Sequence, residues 1–122
     1  FAHAPSKVRA ASNALRRHFN TQKILAVVEL HTYSSLSKDF LPQYDQALNE
    51  MDQAIIYFDH KALEIKNKEA LDPEFIKQSF GNESILICTT SSSLEQTIHA
   101  IQSEFDVIVF MGSGNFGGID LV

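Results

Sequence analysis

Residues 23–30 read Lys-Ile-Leu-Ala-Val-Val-Glu-Leu, and the five residues from Ile24 to Val28 are apolar without interruption. A strand with one face in water alternates apolar and polar residues, whereas a strand buried on both faces is apolar almost throughout. This run therefore predicts a buried strand over residues 23–30, with helices covering both faces of its sheet.

Three more apolar runs predict the other strands of the sheet, at residues 54–58, 84–89 and 107–111. Apolar residues at helical spacing predict four helices before and between these strands. Their stripes are Val8, Ala11, Leu15 and Phe19; Phe40, Tyr44, Ala47, Leu48 and Met51; Phe75, Ile76 and Phe80; and Leu94, Ile98, Ile101 and Phe105.

Several residues mark where the predicted elements begin and end. Asp72 and Pro73 suit the start of the third helix and Gly81 its end, while Ser92 and Glu95 have the spacing of a capping box for the fourth. The charged residues 59–71 predict a surface excursion, and the residues after Gly112 predict a glycine-rich loop with at most one helical turn.

Alternation of strands and helices predicts a doubly wound α/β domain with a mostly parallel, Rossmann-like sheet. In such sheets the loops that leave the carboxyl ends of the strands collect at one edge, where ligands bind. Here those loops are residues 29–35, 59–62, 89–93 and 112–118, and residues 3–6 would join them if a further strand preceded Phe1.

Length and composition predict one domain, because 122 residues with 44% hydrophobic content fill a single core. The lone cysteine, Cys88, lies in an apolar run, so we expect a core thiol and a reducing, cytoplasmic compartment. A net charge of -5 without a basic stripe argues against nucleic acid, and no apolar run is long enough for a membrane span.

Motifs for catalysis or metal binding are missing from the sequence. The histidines lack the spacing of metal ligands, and no GxSxG elbow accompanies the serines. No GxxxxGK[ST] loop is present to hold ATP phosphates. We therefore predict no catalytic residue and no metal site within these residues.

Residues 112–117, Gly-Ser-Gly-Asn-Phe-Gly, match the dinucleotide fingerprint GxGxxG after a predicted strand. That fingerprint must open a helix and a further strand with an acidic residue about 20 positions on, and only five residues follow Gly117. We therefore favour two other interpretations: a tight glycine turn, or a small anion-binding concavity of backbone N–H groups.

Three motifs together resemble the third, carboxy-terminal domain of the Mur ligases. Residues 1–5, Phe-Ala-His-Ala-Pro, are similar to the signature that opens that domain; residues 27–35 are similar to its first strand exit, and residues 112–119 to its last. Glu29 and the Asn-Phe-Gly-Gly run favour the tripeptide-salvage branch over the L-alanine branch. Ala4, Thr32 and Ser35 depart from the L-alanine branch, which has histidine and arginines there.

The resemblance implies that residues 1–122 are one domain of a three-domain ATP-dependent ligase, beside an amino-terminal UDP-sugar domain and a central ATPase domain that binds ATP and Mg. Such an enzyme joins the carboxylate of UDP-N-acetylmuramate to an amino acid or peptide amine. We expect this domain to be inactive in isolation. The implied nucleotide-binding residues are His3, Ala4 and Pro5, and the implied acceptor-binding residues are Glu29, His31, Tyr33, Ser34, Ser113 and Asn115.

Two alternatives stay open. The chain could be a noncatalytic α/β module that binds a small anion at the same sheet edge. Glu29 and Asn115 could also be structural, with Glu29 capping a neighbouring loop and Asn115 tolerating a left-handed turn. An acceptor site requires the strands that precede these residues to be near neighbours in the sheet.

Overall fold

The computed structural model describes residues 5–30, 41–58, 73–112 and 116. In this part of the chain the α-helices are α1 (Pro5–His18), α2 (Pro73–Phe80) and α3 (Ser91–Ile101). The strands are β1 (Ile24–Glu29), β2 (Gln53–Tyr57), β3 (Leu86–Cys88) and β4 (Val107–Met111). Short 3-10 helices cover Leu41–Tyr44 and Gln102–Glu104.

The four strands form one sheet in the order β3-β2-β1-β4, and every neighbouring pair is parallel. Val28 of β1 lies opposite Ile56 of β2 on one side and Met111 of β4 on the other. All six residues of β1 are buried, as its continuous apolar run predicted. The predicted mostly parallel α/β fold is confirmed.

Helices cover both faces of the sheet. Alternate residues of β1 point to opposite faces, so Ile24, Ala26 and Val28 join a core cluster with residues of α1 and α2. Leu25 and Val27 join a second cluster with Leu94 and Ile98 of α3 and with Phe116. This arrangement is the doubly wound one. Glu29, two residues beyond Val27, falls on the α3 face.

Arg16 and Asp52 tie α1 to the amino ends of the central strands. The Arg16 guanidinium donates to the Glu50 carbonyl at 2.9 Å and to Asp52 Oδ2 at 2.7 Å. The Ile24 N–H donates to the same Asp52 oxygen at 2.6 Å. Partial burial would raise the pKa of Asp52, but the bonds from Ile24 and Arg16, and the positive charges of Arg16 and Lys23, hold it below its usual value.

The predicted helix around residues 40–51 is wrong in the part that the structure describes. A 3-10 helix ends at Tyr44, turns follow, and Gln46 takes a positive φ of 61°, which an α-helix does not allow. The Gln46 N–H instead donates to the Phe80 carbonyl at 2.8 Å. The stripe still predicted burial correctly, because Tyr44, Ala47, Leu48 and Met51 are all in the core.

The ends of the other helices follow their local chemistry. α2 begins at Pro73 and is followed by Gly81 at φ 64°, with the Asn82 N–H bonded to the Lys77 carbonyl at 3.2 Å. That glycine end was predicted. The capping-box start at Ser92 was wrong: α3 begins at Ser91, and its cap is Thr90, whose hydroxyl accepts the Ser93 N–H at 3.1 Å.

Strand bounds agree with the sequence to within a few residues. β4 covers the predicted residues 107–111, whereas β3 is confined to Leu86–Cys88 within the predicted 84–89. The predicted excursion at 59–71 lies outside the described residues.

Candidate functional site

The carboxyl ends of β1 and β4 lie side by side at one edge of the sheet. Glu29 is the last residue of β1, and Gly112 follows the last residue of β4. The parallel register pairs Val28 with Met111, one step before these two residues. The neighbouring strands required for an acceptor site between the two loops are therefore present.

Glu29 is buried at this edge, with 4% of its surface exposed. Its Oε1 accepts a hydrogen bond from the Phe116 N–H at 3.2 Å, across 87 residues of sequence. A buried carboxylate is costly unless hydrogen bonds replace its lost water, and this N–H supplies one such bond. This hydrogen bond is of the kind that the loop-capping alternative for Glu29 requires. Contact of Glu29 with an acceptor stays a prediction.

Gly112 allows the two strand ends to pack closely. A Cβ atom at Gly112 would lie 3.0 Å from the Glu29 Cβ and 3.4 Å from both the Glu29 carbonyl oxygen and the Phe116 Cζ. The first of these distances is shorter than ordinary van der Waals contact. The missing side chain therefore allows Glu29 and Phe116 to lie close to Gly112.

Phe116 is itself part of the core. Its ring is 5% exposed and packs edge-on against Phe110 of β4, with ring centroids 5.3 Å apart and an interplanar angle of 78°. Its backbone has a φ of 55°, in the left-handed region that residues with a side chain rarely adopt. No prediction from the sequence included a core role for Phe116, whose only signal there was an aromatic residue within a glycine-rich run.

Most of the predicted site residues lie outside the described part of the chain: His3, Ala4, His31, Tyr33, Ser34, Ser113 and Asn115. Their roles stay predictions. Pro5 is described; it opens α1 and is buried. Of the predicted acceptor-binding residues, the structure therefore locates Glu29 alone.

Cys88, at the end of the outer strand β3, has a structural role. Cys88 is a buried free thiol, as predicted for a core residue, and its Sγ lies 3.6 Å from the Thr97 hydroxyl. That hydroxyl in turn donates to the Ser93 carbonyl at 2.7 Å.

In residues 5–30, 41–58, 73–112 and 116, no group of three or more His, Cys, Asp or Glu side chains could hold a metal ion. No described helix is long and apolar enough to span a membrane.

Several known proteins are similar to this chain in sequence or in fold. No family model matches the chain. A UDP-N-acetylmuramate–L-alanine ligase from Lactobacillus acidophilus is 27% identical over 115 residues, or 94% of this chain. The chain spans only 24% of that relative's length.

Two solved structures share the fold. A murein peptide ligase from Psychrobacter arcticus superposes with a TM-score of 0.72 at 19% identity, over 97% of this chain and 24% of that one. A domain from Haemophilus ducreyi, described as part of a UDP-N-acetylmuramate:L-alanyl-γ-D-glutamyl-meso-diaminopimelate ligase, gives a TM-score of 0.67 at 23% identity, over 97% of this chain and 79% of that one.

The described residues thus define a doubly wound α/β domain in which a buried glutamate at the end of β1 accepts a hydrogen bond from the Phe116 N–H. The resemblance to the Mur ligases is confirmed by the curated relative over 94% of the chain, and both solved neighbours carry the same fold.

Proposed function

We propose that the intact protein containing this chain is an ATP-dependent peptidoglycan-precursor ligase, and that residues 1–122 are its carboxy-terminal domain. The observation that carries the proposal is the match of 94% of the chain to a UDP-N-acetylmuramate–L-alanine ligase. The chain spans about a quarter of that relative, which is consistent with further domains for the UDP-sugar and for ATP. A cytoplasmic location follows from the substrates of this reaction.

The proposed reaction forms an amide bond. The terminal phosphoryl group of ATP passes to the carboxylate of UDP-N-acetylmuramate, which gives an acyl phosphate and ADP. The amine of the acceptor attacks the acyl carbon, the bond from that carbon to the phosphate oxygen breaks, and the amine loses a proton. The products are the amide and inorganic phosphate. Magnesium bound with ATP in the proposed central domain would offset the charge of the transferring phosphoryl group.

The proposed share of this chain is to orient substrates. The acceptor site would lie at the carboxyl edge of β1 and β4, where Glu29 is adjacent to Gly112 and Phe116. Loops at this edge are the usual ligand-binding part of a doubly wound sheet, and orientation of an amine against an activated carbonyl accounts for a large part of the rate of such reactions. The acceptor residues proposed are Glu29, His31, Tyr33, Ser34, Ser113 and Asn115, and the nucleotide residues are His3, Ala4 and Pro5.

We further propose the L-alanyl-γ-D-glutamyl-meso-diaminopimelate tripeptide, rather than L-alanine, as the acceptor. Support comes from the sequence, where Glu29 and the run Asn115-Phe116-Gly117-Gly118 are similar to the salvage branch. The alanine ligase among the relatives keeps L-alanine as the competing acceptor.

The test is amide formation by the purified intact protein, followed as ADP release and by mass spectrometry, with ATP, Mg and UDP-N-acetylmuramate. L-alanine and the tripeptide are compared at equal concentrations. We expect a higher kcat/KM for the tripeptide, and no turnover by residues 1–122 alone. Preference for L-alanine would overturn the tripeptide assignment. Absence of amide formation with either acceptor would overturn the ligase assignment and favour the alternative of a noncatalytic anion-binding module.

A further inference from the structure

We draw no further inference here: the strongest candidate, the outer edge of the sheet at β4 with its half-buried apolar residues 107–110, carries no proposal, because nothing in the described part of the chain shows what covers it.

Discussion

Substitution of Phe116 by alanine and by glycine tests the strained anchor beside the candidate site. Loss of a buried aromatic ring costs about 3–5 kcal/mol in a core. We expect about 3 kcal/mol for either variant, because the ring of Phe116 is 5% exposed but lies at the edge of the sheet. The informative quantity is the difference between the two variants.

At most positions glycine is less stable than alanine by roughly 0.5–1 kcal/mol, since it loses more chain entropy on folding. At a φ of 55° the order should reverse. A left-handed conformation costs a residue with a Cβ atom roughly 1–2 kcal/mol and costs glycine almost nothing. Subtracting the entropic term leaves Phe116→Gly more stable than Phe116→Ala by about 0–1.5 kcal/mol, with a central value of about 0.75 kcal/mol.

Urea unfolding of residues 1–122, monitored by circular dichroism, gives both free energies of unfolding. Glu95→Ala and Glu95→Gly are the matched pair, because Glu95 is exposed in the middle of α3, where alanine should be the more stable by about 1 kcal/mol. If the Phe116 pair has the same order as the Glu95 pair, the left-handed conformation at Phe116 is refuted.

Three further predictions concern other residues. Asp52→Asn should lower the free energy of unfolding at pH 7 by about 1 kcal/mol, a modest value because 38% of the Asp52 side chain is exposed. Since the pKa of Asp52 is lowered in the folded state, the greater stability of the wild type should persist above pH 4 and disappear as the pH falls below it. A difference in the free energy of unfolding that stays constant down to pH 2 would contradict the lowered pKa. Burial raises the pKa of Tyr44 to about 12. The wild type should therefore lose stability relative to Tyr44→Phe as the pH rises from 10 to 12, by roughly 2 kcal/mol at pH 12. Parallel plots of the free energy of unfolding against pH for the two proteins would contradict this. Gly112→Ala should destabilise the domain by about 1–3 kcal/mol, because its Cβ would meet the Glu29 Cβ at 3.0 Å, and an unchanged unfolding midpoint would show that the strand ends are farther apart.

The sequence predicted those parts of the fold that depend on hydrophobic burial. β1 and β4 were recognised from their apolar runs, and β1 is buried at every residue because it lies between two strands and beneath helices on both faces. The stripe from Tyr44 to Met51 predicted burial correctly and backbone conformation wrongly. Helical spacing cannot reveal that the Gln46 N–H bonds to a carbonyl at the end of α2, far away in sequence.

The site was predictable only where it follows from sheet topology. That loops after β1 and β4 meet at one edge is a general property of parallel sheets, and the sequence placed Glu29 there. The bond from the Phe116 N–H to Glu29 could not be predicted, because it depends on the left-handed conformation of Phe116, a residue 87 positions later in the sequence. The glycine run predicted a turn, but it did not indicate that Phe116 would be buried in the core.

The most direct test of the central claim, that this domain holds the acceptor at the carboxyl edge of β1 and β4, is the set of three Michaelis constants of Asn115→Ala in the intact protein. We predict that the KM of the amine-bearing acceptor rises roughly tenfold, while those of ATP and UDP-N-acetylmuramate stay within about twofold of the wild type. Equal increases for all three substrates, or an unchanged acceptor KM in a stably folded variant, would contradict the claim.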